Sequence, residues 1–147
     1  MLRNCVLNNF LTGFVVGVGA LLTAMAAAAD PVPAELAGMT WRWVHFASSA
    51  EDFAVAEPER YTLAFTAVGW IRLRADCNHG AGGAVFPKPS MIRIEEMALT
   101  LAMCPSGSLG DRFARDVARA VRWSIRESEL HLELPADAGT LRLTRQR

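Results

Sequence analysis

The chain has 147 residues, with 15 basic and 15 acidic side chains and a formal net charge of zero at pH 7. That length suits one domain, and the even balance argues against a nucleic-acid partner, which needs a basic excess. No phosphate-binding glycine loop, dinucleotide fingerprint or paired-carboxylate motif is present, so no cofactor is implied.

Residues 1–29 read as an export signal. Arg3 is basic, Phe10 to Ala29 carries no charge, and Ala26-Ala27-Ala28-Ala29 offers the small residues that signal peptidase accepts. An uncleaved membrane anchor is the competing reading. Gly13, Gly17, Gly19 and the alanine tract favour cleavage, which places the mature protein in the periplasm or outside the cell. Residues 30–35 form a proline-punctuated linker, and a single domain is expected over 36–147.

The first strand is expected at Trp41 to Phe46, followed by a loop with a helical turn from Ala47 to Glu59. Arg60 to Thr66 alternates, with Tyr61, Leu63 and Phe65 inward. A turn at Ala67-Val68-Gly69 makes a hairpin with the next strand, in which Ile71, Leu73, Ala75 and Cys77 share the inner face and Arg72, Arg74 and Asp76 point to water. Three glycines in Asn78 to Gly83 predict a flexible bend, with His79 in it. Ala84 to Phe86 reads as a brief strand. Met91 to Glu95 follows, with Ile92 and Ile94 inward, and a strand reading runs on through Met97 to Met103, ending with Cys104 at Pro105.

The period then changes. Leu109, Phe113, Val117 and Val121 recur every fourth residue, while Asp111, Arg112, Arg115, Asp116 and Arg119 fill the other side. This is an amphipathic helix, with Ser108 as its N-cap and an Asp111–Arg115 pair one turn apart. Strands at Trp123 to Arg126, Leu130 to Leu134 and Leu141 to Leu143 complete a tally of eight or nine. The fold class is mainly β: a small antiparallel barrel, closed or nearly so, with one α-helix in the C-terminal third covering an end or a seam.

Cys77 and Cys104 are the cysteines of the mature chain. In an exported protein an even pair reads first as a disulfide. A metal site through Cys77, His79 and Cys104 stays open but lacks a fourth ligand, and a reactive thiol lacks a recognisable base, since His45, His79 and His131 are scattered. Trp41, Trp43, Trp70 and Trp123 read as core and rim packing ahead of a ligand cavity.

The ordered motifs resemble the META (HslJ-like, formerly DUF306) domain. Leu36-Ala37-Gly38 followed by Trp41 is similar to its opening. Asp76-Cys77-Asn78 with Gly82 or Gly83 is similar to its Gly-Cys-Asn…Gly segment, with Asp76 in place of glycine. Thr100 to Pro105 resembles its Thr-x-Met-Ala-Cys-Pro segment, with Ala102 and Met103 in inverted order. Phe113, then Trp123-Ser124-Ile125 and Glu129-Leu130, matches its tail. The motif set brings Cys77 and Cys104 together with Trp41, Asn78, Gly82 and Thr100. The resemblance implies a small lipocalin-like β-barrel with one helix, in an exported or envelope protein sometimes tied to stress tolerance. It implies no established catalytic residues. The function expected is a non-catalytic envelope module that binds a protein or a small apolar ligand; the alternative is an inhibitor of a secreted hydrolase.

Overall fold

A computed structural model describes residues 31–147. The expected export signal lies outside them, as does the first residue of the expected linker. Nine strands and one helix are arranged as β1 (Thr40–Ala47), β2 (Asp52–Ala54), β3 (Tyr61–Phe65), β4 (Trp70–Ala75), β5 (Asn78–Val85), β6 (Arg93–Leu99), α1 (Gly110–Arg119), β7 (Arg122–Arg126), β8 (Glu129–Glu133) and β9 (Thr140–Arg145). They build one antiparallel sheet in the order β6-β5-β4-β3-β1-β9-β8-β7, with β2 paired to the end of β1. The sheet curls into a half-barrel. Its two ends, β6 and β7, approach at one corner, where Met91 bridges to Arg122 and the Trp123 amide donates to the Ser90 carbonyl.

Alternation fixes the inner face. Trp41, Trp43, Tyr61, Leu63, Phe65, Ile71, Leu73, Leu130, Leu132, Leu141 and Leu143 are all buried, a pattern only a half-buried strand produces. The helix packs against the inner face by the same logic. Phe113 is fully buried and stacks on Trp43 with ring centroids 5.2 Å apart, and it meets the edge of Tyr61. Gly110 passes so close to the sheet that a Cβ there would sit 2.5 Å from the Ala75 carbonyl oxygen.

Several expectations are corrected. The stretch from Ala47 to Glu59 holds a short strand, β2, as well as a helical turn at Pro58–Arg60. The glycine-rich bend is a strand, β5. Gly80 and Gly82 are needed there because β6 crosses too close for side chains: a Cβ on Gly82 would meet the Glu95 oxygen at 2.9 Å and the Met97 Cα at 3.0 Å. His79 is therefore a strand residue. At the other end, β6 stops at Leu99 instead of running to Met103, because the chain turns away to follow Asn78.

On the helix, Asp116 is buried, not solvent-facing, and receives Arg112 one turn earlier; Asp111 makes no pair with Arg115. Arg112 also grips Glu51 through two nitrogens at 3.1 and 2.6 Å and lies over the Phe46 and Phe53 rings. The hydrogen bond and charge of Glu51 raise the Arg112 pKa further. One arginine thus ties β1, β2 and α1 together, so it cannot serve as a plain solvent-facing residue. The helix begins at Gly110, yet Ser108 Oγ still accepts the Gly110 amide at 3.1 Å.

Candidate functional site

The β4–β5 turn holds Asp76, Cys77 and Asn78 and draws Thr100 and Cys104 to it. Asp76 adopts φ 63°, the left-handed region that glycine usually fills. Aspartate tolerates it better than most residues, so the tight turn forms without glycine. The consequence corrects the inferred facing: the turn interrupts the alternation after Ala75, Asp76 points inward and is buried, and Cys77 is exposed.

Asp76 is matched for its position. Its Oδ1 accepts from Arg60 Nε at 2.8 Å, and its amide donates to the Arg60 carbonyl. Ser108 and then Arg60 hold the carboxyl below the usual range against the opposing cost of burial. Oδ2 has no partner at hydrogen-bond distance, and Arg60 makes its contact through Oδ1. Arg60 also pairs with Glu57. The cluster anchors the turn to the start of β3.

Cys77 and Cys104 are joined by a disulfide, with Cα atoms 5.5 Å apart. Neither thiol is free to act as nucleophile or ligand in this state. Among the described residues, no group of three or more His, Cys, Asp or Glu side chains is placed to hold a metal.

Asn78 does what the spacing alone did not reveal. Its side-chain amide pairs with Ala102 as a neighbouring strand would: Nδ2 donates to the Ala102 carbonyl at 2.9 Å, and Oδ1 accepts the Ala102 amide at 2.7 Å. Oδ1 also accepts from Thr100 Oγ1 at 2.9 Å, and that hydroxyl in turn accepts the His79 amide at 3.0 Å. Aspartate at this position would lose the donor, which explains an asparagine here. The sequence clue was an asparagine directly after a cysteine, far from any helix it might cap.

The result is a loop, 100–104, fastened at both ends. Between the fastenings Leu101 is 92% and Met103 100% exposed. With both side chains in solvent, the inverted Ala102–Met103 order no longer decides what faces inward.

The remaining candidates are dispersed. Trp41 and Trp43 are core residues, Trp123 is half-buried against Phe86, and Trp70 is 57% exposed on the outer face. Gly82 lies in the β5–β6 contact described above. His45 pairs with Asp52 at 3.0 Å, and His131 lies between strands beside Glu129, its pKa lowered first by burial. The three histidines share no site.

The META domain family model matches residues 34–147. The chain belongs to the META domain family. No curated protein matches this META domain. Among solved structures it is similar to a protein from Burkholderia xenovorans, determined by NMR, with TM-score 0.63 and 16% identity over 88% of this chain and 99% of that one. It is also similar to a crystal structure of a DUF4847 family protein from Bacteroides vulgatus ATCC 8482, with TM-score 0.56 and 14% identity over 76% and 96% of the two chains. At such identities the likeness supports the fold of the META domain and nothing finer.

Proposed function

We propose that this META-domain protein is an exported, non-catalytic binding module of the envelope, periplasmic or secreted, and that its partner is another protein held by the 100–104 loop. One observation carries the reading: two large apolar side chains stand in solvent on a loop whose backbone is fixed by a disulfide and by Asn78. Exposed apolar groups of this kind mark contact surfaces, and fixing the loop beforehand lowers the ordering cost of binding. A small apolar ligand is the weaker choice, because Trp41, Trp43, Phe46 and Phe113 fill the inner face of the sheet. The disulfide fits an oxidising compartment, and no helix among the described residues is long and apolar enough to cross a membrane.

The same fastened loop also fits the cleft of a secreted hydrolase, the second reading. A photo-crosslinking residue placed at Met103 tests both in envelope extract. The proposal expects one saturable adduct that disappears in Leu101→Asp, whose side chain touches solvent and whose loss leaves folding intact. If the adduct is a hydrolase and the purified protein suppresses its activity, the inhibitor reading wins. Adduct formation unchanged by Leu101→Asp defeats the loop as the contact.

A further inference from the structure

The outer face of the sheet from β1 through β3 to β4 carries three arginines, one on β1 and two on β4, with no carboxylate paired to them among the described residues. Arg42, Arg72 and Arg74 point outward, in register with Thr62, Ala64, Ala81 and His79 on the flanking strands. Most other arginines in the described residues are spoken for: Arg60 by Glu57 and Asp76, Arg93 by Glu95, Arg112 by Glu51, Arg142 by Glu129. The three outward arginines make no such ion pair among the described residues, and the Nε of Arg42 is buried without an acceptor. Asp76, the carboxylate next in sequence, lies on the inner side with Arg60.

Beside this wall runs a groove of about 540 Å³, lined by Arg72, His79, Gly80, Ala81, Ala98 and Thr100 among others. Its floor is made of small residues. Leu73 and Leu99 complete the lining, its polar groups are Arg72, His79 and Thr100, no carboxylate lines it, and Arg74 stands just beyond its end, two residues along β4 from Arg72.

We propose that this groove receives an extended acidic segment of a partner polypeptide, lying along β4. Alternate residues of a strand are roughly 6.7 Å apart. That is the spacing of Arg72 and Arg74, and equally of same-side carboxylates on an extended peptide. Guanidinium forks bind carboxylates with two hydrogen bonds each, and Ala81 and Ala98 leave room for the peptide backbone to lie flat. An anionic bilayer suits the face poorly: its exposed aromatic, Trp70, shares its end of the sheet with Glu95 and Glu96. A polyphosphate chain calls for a larger basic excess than a net charge of zero supplies. The groove meets the 100–104 loop at Thr100, while the arginine pair on β4 lies away from Leu101 and Met103.

The test uses the exported full-length protein and a fluorescent peptide of alternating Glu and Ser, about ten residues long, read by anisotropy. Binding should appear at low salt and weaken as salt rises. Arg72→Gln with Arg74→Gln should weaken it by roughly tenfold or more, while Arg119→Gln leaves it unchanged. Ala81→Leu, which fills the groove and keeps every charge, should also abolish it. Retention of binding in Ala81→Leu would mean that diffuse charge alone holds the peptide, and the groove would be wrong. No binding at low salt, or no effect of the arginine changes, overturns the proposal. So does tighter, equally arginine-dependent binding of heparin or of phosphatidylglycerol vesicles, which would put another polyanion in place of the peptide. The arginine side chains are exposed, so thermal unfolding of the variants should match the parent and certify the fold.

Discussion

Replacing both bridging cysteines, Cys77→Ser with Cys104→Ser, separates the two fastenings of the loop. The bond closes a sequence separation of 27 residues. On the chain-entropy account, a loop of that size stabilises the folded state by about 3.5 kcal/mol. For a domain of this size each kcal/mol is worth about 3–6 °C in midpoint, so thermal unfolding by circular dichroism should fall by roughly 10–20 °C. The native state itself should be little changed, because Asn78 still holds Thr100 and Ala102 through three short hydrogen bonds, and the His79 amide adds a fourth to Thr100. Hydrogen exchange at the Ala102 amide reads this directly. It should remain protected when the disulfide alone is lost, and exchange freely in Asn78→Ala, which removes its acceptor although the disulfide still confines the loop. A midpoint drop under about 3 °C refutes the entropic account. Free exchange at Ala102 after loss of the disulfide alone refutes the role given to Asn78. Mass spectrometry of the non-reduced protein must also find the two thiols bonded.

Phe113→Asp should abolish folding, since it buries a charge between Trp43 and Tyr61, whereas Arg115→Asp, on the exposed side of α1, should shift the midpoint only slightly; equal effects would mean the helix faces are wrongly assigned. Gly82→Val should destabilise by about 1–3 kcal/mol, because β6 leaves no room for a side chain there, and denaturant titration with an unchanged slope would check it. His131 has its folded pKa lowered, chiefly by burial. Its neutral form is therefore favoured in the fold. The stability it confers is fully present above its ordinary pKa of about 6.5 and is lost as pH falls below that value. His131→Gln should flatten the fall in midpoint between pH 7 and 5, and an unchanged slope would show that another group titrates.

Alternation made most of the sheet legible. Tyr61, Leu63 and Phe65, then Leu130, Leu132 and Leu134, face inward as a period of two requires, and the stripe through Phe113 and Val117 marked the helix. The errors fall where one residue changes the count. Asp76 takes a glycine-like conformation, so the period carried through it assigned Cys77 to the wrong face. The glycines of β5 suggested flexibility because single-chain propensity cannot register a neighbouring strand pressing close. Asp116 looked solvent-facing because the partner that makes its burial affordable, Arg112, is itself drawn inward by Glu51 and two rings. The pair Cys77 and Cys104 was readable from its count and setting. The asparagine between them in space was not, because its three hydrogen bonds to Thr100 and Ala102 depend on a loop that local pattern continued as a strand.

The extra residue in β6 has a bearing on behaviour at high concentration. Pairing shifts between Gly83↔Glu95 and Ala81↔Ala98, and Glu96 takes φ 47° at that step. The irregularity sits on an outermost strand of an incomplete barrel, where main-chain groups would otherwise offer a straight template to another molecule. A kinked template with Glu95 and Glu96 adjacent is a poor one: a second copy approaching in register would bring like charges together and find the spacing broken. Removing the insertion by deleting Glu96 would straighten the strand and strip a charge at once. The molecule most at risk of end-to-end polymerisation is therefore one amino acid shorter than this chain.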